Sequence, residues 1–109
     1  MTFIELPLFT KLITDLVDDA SYAEFQKELL LSPEKGDVMQ HAGGLRKARM
    51  RLPGRGKSGG ARVVYLYLAR FDTIVLFYIY TKAKAENLTA DQLRRLRTAG
   101  AVIKEESKT

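Results

Sequence analysis

The spacing of hydrophobic and polar positions changes along the chain, and each change predicts an element. Thr2 to Leu6 is short, apolar and β-leaning, which predicts a first strand. Pro7 suits the first turn of a helix, and Phe9, Leu12, Ile13, Leu16 and Val17 then recur at helical spacing. Ser21 with Glu24 fits a capping box, opening a second helix with Tyr22, Phe25 and Leu29 on its apolar face. Pro33 and Gly36 mark its end. Ala42-Gly43-Gly44 interrupts the chain, and from Leu45 to Leu52 the pattern alternates. Lys47, Arg49 and Arg51 take one parity; Ala48, Met50 and Leu52 take the other. A strand there sets three cations on one sheet face and an apolar trio toward the core. Arg46 falls on the apolar parity, which this scheme accommodates only with a bend or bulge.

Pro53 to Gly60 reads as a Gly-rich connection carrying Arg55 and Lys57 at its tip. Arg62 to Leu68 and Ile74 to Tyr80 are near-continuous apolar and aromatic runs around a short turn at Arg70-Phe71-Asp72, as in central antiparallel strands. Thr89 with Gln92 gives another capping box, and Leu93, Leu96, Val102 and Ile103 predict a C-terminal helix, frayed at Gly100. Residues 104–109 are expected to form a mobile tail. The order β-α-α-β-β-β-α predicts one α+β domain over residues 1–109. In it a small antiparallel sheet has both N-terminal helices on one face, and the face with Lys47, Arg49 and Arg51 is left for a ligand.

Charge sharpens this picture. Residues 1–37 hold three Lys/Arg against eight Asp/Glu, residues 38–71 hold eight against none, and residues 72–109 hold seven against five. A field concentrated in one segment attracts a polyanion, and nucleic acid supplies closely spaced phosphates. The chain has no cysteine and one histidine, His41, which excludes disulfides, thiolate metal sites and paired-histidine chemistry. No metal or other cofactor is expected. The N-terminal residues lack the pattern of a secretory signal, and no apolar run nears the roughly 20 residues that cross a bilayer. A cytoplasmic protein without membrane contact is expected.

RNA contains its own nucleophile. When a 2′-hydroxyl is aligned with the adjacent phosphorus, cleavage requires orientation, removal of the hydroxyl proton, stabilisation of the phosphoryl charge and protonation of the leaving 5′-oxygen. Clustered cations perform the third task, and they also favour a neutral amine or a phenolate among them. Lys47, Lys57, Lys82 and Tyr80 are therefore the acid/base candidates. Arg49 and Arg62, fixed in their charge, suit phosphate clamping. Tyr65, Tyr67 and Tyr78 are expected in the core, and Tyr80 is expected to reach solvent at a strand end. Arg46, Arg51, Arg55, Lys57 and Lys84 are candidate RNA or ribosome contacts.

The runs GGLRKARMR, GGARVVYLYL and VLFYIYTKAKAENLT, with the approach LLLSPEKGDVMQHAGGLRK, resemble the HigB branch of the RelE toxin superfamily over nearly the whole chain. The resemblance implies the RelE fold and a ribosome-dependent endoribonuclease that cuts messenger RNA in the decoding site. It also implies a cognate helix-turn-helix, HigA-like antitoxin as partner, with the toxin alone monomeric. It carries catalytic roles onto Lys47 and Arg49, onto Arg62 in ARVVY, and onto Tyr80 and Lys82 in Y-x-K. RelE-like toxins have an arginine after that lysine and a later tyrosine; here Ala83 stands in the first place, and no tyrosine follows Tyr80. Two other readings keep the same residues: a toxin of this fold that poisons a protein target such as gyrase, and an RNA-binding module without catalysis.

Overall fold

In a computed structural model, which describes residues 1–53, 60–81 and 87–108, one five-stranded sheet is packed by helices on both faces. The elements run β1 (Thr2–Glu5), α1 (Pro7–Leu16), α2 (Asp19–Leu31), β2 (Asp37–Val38), β3 (Arg46–Met50), β4 (Ala61–Leu68), β5 (Thr73–Thr81) and α3 (Ala90–Glu106). A 3-10 turn, Ala69–Phe71, joins β4 to β5, with Asp72 in the left-handed region at φ +48°. The sheet order is β1-β5-β4-β3-β2. The architecture is α+β as expected, but the sheet is mixed, because β1 pairs parallel to β5 while the other pairs are antiparallel. α1 and α2 carry the chain from β1 at one edge to β2 at the other, and the antiparallel run β2–β5 brings β5 back beside β1. Strand β2, two residues long, has no signature in the hydrophobic pattern.

Helix ends follow local chemistry with one shift. The Thr89/Gln92 capping box forms as predicted, Gln92 N–H donating to Thr89 Oγ1 at 3.1 Å and Thr89 N–H to Gln92 Oε1 at 2.9 Å. The cap of α2 is Asp18 rather than Ser21: its Oδ1 accepts from Ser21 N–H at 2.6 Å, which holds the Asp18 carboxyl below its usual pKa. α3 passes through Gly100 without a break and takes in Lys104 to Glu106, beyond the point where the tail was expected to begin. Gly100 lies against Leu45, so the missing side chain brings helix close to sheet.

The first core lies under α1 and α2, where Phe9, Ile13, Phe25 and Leu29 meet Ala48, Met50, Val63, Tyr65, Ile74 and Leu76. Side chains of this size contribute about 1.5–3 kcal/mol each on full burial. Tyr65 is the largest fully buried residue, and its hydroxyl donates to Pro33 O at 2.8 Å and accepts from Gly36 N–H at 2.9 Å. Any Cβ on Gly36 would stand 2.8 Å from the Tyr65 ring, so glycine is required by this approach. The second core corrects the expectation of an open opposite face. There Leu93, Leu96, Ala99 and Ile103 of α3 pack toward Leu45, Val64, Leu66, Val75, Phe77 and Tyr80. The loop before β3 is clasped to α3: Arg97 Nη1 donates to His41 O at 3.2 Å, and Lys104 Nζ donates to Gly43 O. His41, Gly43 and Gly44 all take positive φ in that loop.

Candidate nucleic-acid interface

Antiparallel pairing decides which cations meet. Directly opposed residues share a face with Cβ atoms about 4.5–5.5 Å apart. Arg62 on β4 registers with Arg49 on β3 on one side and with Tyr80 on β5 on the other. Arg49, Arg62 and Tyr80 thus form one row across the sheet. The adjoining row on the same face is Lys47, Val64 and Tyr78. Lys47, Arg49 and Arg62 therefore converge on the α3 side of the sheet, as the alternation of β3 predicts for the first two.

These cations are uncompensated. Among the described residues, Lys47, Arg49, Arg51 and Arg62 have no carboxylate within 4.0 Å. Arg62 makes one long hydrogen bond, Nη1 to Ala61 O at 3.4 Å. Arg49 is exposed, and Lys47 and Arg62 are half-buried. Such a row suits phosphate oxygens, which supply the charge the protein itself withholds.

A bulge shapes the aromatic side of the site. The β4–β5 register jumps between Val64, opposite Tyr78, and Tyr65, opposite Leu76. Phe77 is left without a partner, and past it the pleat is shifted so that Tyr78 and Tyr80 join Phe77 and Val75 in the second core. The Tyr78 and Tyr80 rings stack at 5.9 Å and 29°, and Tyr78 Oη accepts from Gln92 Nε2 of α3 at 3.3 Å. No signal in the unbroken apolar run Val75 to Tyr80 marks this bulge, so Tyr78 was placed in the core without its contact to Tyr80.

Tyr80 does not reach solvent as the sequence suggested. It is 4 % exposed, and its hydroxyl has no hydrogen-bond partner among the described residues. Burial pushes its pKa up, and the nearby Arg62 guanidinium offsets that only in part. Clustered cations predict a lowered Tyr80 pKa; burial outweighs Arg62 and raises it instead, and of the acid and base roles open to Tyr80 this suits the acid.

The remaining candidates divide. Arg46 is corrected: its side chain lies on the α1/α2 side without any bulge in β3. There Nη1 donates to Glu34 O at 3.1 Å and Gly36 O at 2.8 Å, so the guanidinium ties the α2–β2 loop to the strand. Arg51 follows the end of β3 and lines a cleft shared with Asp18, Glu24 and Glu28 of the α2 region. Arg55, Lys57, Lys82 and Lys84 lie outside the described residues. Among the described residues, no three His, Asp or Glu side chains gather to hold a metal ion, and no helix is long and apolar enough to cross a membrane.

Comparison with known proteins gives two findings. Residues 27–109 match the family described as the RelE toxin of the RelE/RelB toxin–antitoxin system. The fold is similar to that of a free-state Escherichia coli toxin RelE carrying two arginine-to-alanine substitutions, at 17 % identity and a TM-score of 0.56. That match covers 78 % of this chain and 86 % of the other.

Proposed function

Because this chain belongs to the RelE toxin family of toxin–antitoxin systems, we propose that it is a ribosome-dependent endoribonuclease of the HigB-like branch. It cuts translated mRNA in the cytoplasm and so halts protein synthesis. The observation that carries the reading is the Arg49–Arg62–Tyr80 row, with Lys47 alongside and, among the described residues, no carboxylate within 4.0 Å of these cations.

The reaction needs no bound water. The 2′-oxygen attacks the adjacent phosphorus, the bond to the 5′-oxygen breaks, and a 2′,3′-cyclic phosphate and a free 5′-hydroxyl result. Arg49 and Arg62 hold the non-bridging oxygens and stabilise the added charge. Lys47 stands beside the row to accept the 2′-hydroxyl proton. Tyr80, kept protonated by burial, donates to the leaving 5′-oxygen once docking of the strand uncovers its hydroxyl. Lys82 of the Y-x-K sequence is a further candidate for proton transfer, and Arg51, Arg55, Lys57 and Lys84 are proposed to hold ribosomal or messenger RNA. The ribosome aligns the strand, which a site so open to solvent leaves free to move. A helix-turn-helix, HigA-like antitoxin is the proposed neutralising partner of the monomeric toxin.

The test is to map mRNA 5′ ends in a translation extract with and without the purified protein. Cuts phased with codons and absent when initiation is blocked are expected. Intact mRNA with arrested DNA replication in cells would favour a poison of gyrase instead. Intact mRNA bound by the protein would leave an RNA-binding module.

A further inference from the structure

A second feature adjoins the cationic row and is built for something other than phosphate. Lys47 registers with Asp37 of β2 as well as with Val64 of β4, so the row leads straight to the β2 edge. There a cleft of about 370 Å³ is lined by Asp37, Gln40, Lys47 and Asn87, with Met39 and Leu88 among its apolar walls. This is at the small end of the roughly 300–1,000 Å³ that ligand clefts span. None of the four polar side chains has a hydrogen-bond or ion-pair partner among the described residues.

We propose that this cleft reads one unpaired nucleobase of the RNA strand held by Arg49 and Arg62, and that it favours bases bearing an amino group over uracil. The proposal rests on the RNA-cleaving reading for its strand and adds a specificity pocket to it. Asp37 beside Lys47 makes the cleft a poorer seat for a phosphate than the Arg49–Arg62 row, because a carboxylate only accepts and repels an anion. Gln40 and Asn87 each both donate and accept, which a planar base edge can match. Met39 and Leu88 offer apolar contact to the ring faces. Unpaired bases read along their edges are the usual basis of sequence preference on RNA. Guanine gives the Asp37 carboxylate two adjacent N–H donors, and adenine and cytosine each give an amino group. Uracil flanks its single N–H with carbonyl oxygens, and these face the carboxylate with like charge. Lys47 and Arg49 are two strand residues apart, about 7 Å, so the base belongs to a nucleotide next to the clamped phosphate.

The experiment has a binding arm and a cleavage arm. Trinucleotides blocked by 2′-O-methyl groups and differing in one base are titrated into the full-length protein, following the side-chain amide NMR signals of Gln40 and Asn87. The guanine probe is expected to shift both signals and to bind about tenfold more tightly than the uracil probe, the discrimination one good edge contact supplies. Asp37→Asn is expected to bring the two affinities together, and Asn87→Ala to weaken the guanine probe. Equal affinities in the wild type, with both amide signals unmoved, would overturn the proposal. In the cleavage arm, cut sites are expected to be depleted of uridine at one position fixed relative to the cut, and Asp37→Asn to restore it. Cutting with the same base profile in wild type and variant refutes the pocket and leaves the nuclease standing. Selective binding with mRNA intact supports the pocket and refutes the nuclease.

Discussion

Each face of the sheet packs a hydrophobic cluster under helices, and the two treat their cations differently. On the α1/α2 face, Arg46 sits beside the buried Tyr65, and both donate to loop backbone: Arg46 to Glu34 O and Gly36 O, Tyr65 to Pro33 O. On the α3 face, one residue further along the same strand, Lys47 and then Arg49 stand without acceptors among the described residues. Tyr80 on that face buries a hydroxyl with no partner among the described residues. A folded protein rarely leaves a buried hydroxyl unsatisfied, because desolvation without a hydrogen bond costs free energy, whereas the exposed Arg49 can bond water. Arg46 is satisfied by loop carbonyls, whereas Arg49, the same residue type on the same strand, keeps its donors free among the described residues, as the proposed phosphate-clamping role requires.

The largest effect expected is at the centre of the open face. Arg62→Ala should lower mRNA cleavage in a translation extract by about 10²–10³-fold, the loss seen when a charge-stabilising donor is removed. The variant should keep its circular dichroism spectrum and its antitoxin binding. Full activity in this variant would refute the site.

Arg46 and Arg49 test the contrast directly. Arg46→Ala should destabilise the fold by about 1–3 kcal/mol, because the Glu34 and Gly36 carbonyls lose a charged donor. Arg49→Ala should leave the denaturant midpoint unchanged and reduce the salt dependence of RNA binding by one phosphate, a slope change of about 0.7 on a single strand. Exchange of these two outcomes would reverse the assignment of the faces.

The tyrosines give a smaller, signed comparison. Tyr65→Phe should cost about 1–3 kcal/mol, since Gly36 N–H then lies buried without an acceptor. Tyr80→Phe should be neutral or stabilising by up to about 1 kcal/mol, since it removes a buried hydroxyl that has no partner among the described residues, while cleavage falls. Thermal melts and cleavage rates on the same preparations separate the two effects.

The smallest effect is on pH. Burial raises the pKa of Tyr22, Tyr65 and Tyr80 in the folded chain above the ordinary phenol value of about 10. The unfolded chain then loses these protons first, so stability holds below about pH 10 and falls as pH rises above it. Urea melts from pH 8 to 11 should show that decline, and it should be shallower in Tyr65→Phe. A flat profile through pH 11 would contradict the burial of these phenols.

Much of this was already legible in residues 47–52, where alternation sorted Lys47 and Arg49 from Ala48 and Met50. The pleat has a period of two, and side chains of one parity cannot change sides without a break in register. The Thr89/Gln92 cap and the sheet-facing Leu93, Leu96 and Ile103 of α3 were likewise local, written within a few residues. Other features depended on partners distant in the chain. Whether β1 pairs parallel or antiparallel is decided by where α1 and α2 deliver the chain and by the antiparallel run that returns β5 to it. The bulge at Phe77 lies in a run that is apolar at every position, where periodicity carries no phase. Arg46 broke the alternation, and only the loop carbonyls of Glu34 and Gly36, brought over it by folding, show what satisfies it. The burial of Tyr80 was decided by its place in the core under α3, and with it the state of the phenol's proton. By itself the sequence determined which residues share each face of β3 from Lys47 onward, because that is a matter of neighbours along the chain. Which face would be closed, and which groups on the other would lack partners, required the packing of helices onto the sheet, since hydrogen-bond satisfaction depends on residues far apart in sequence.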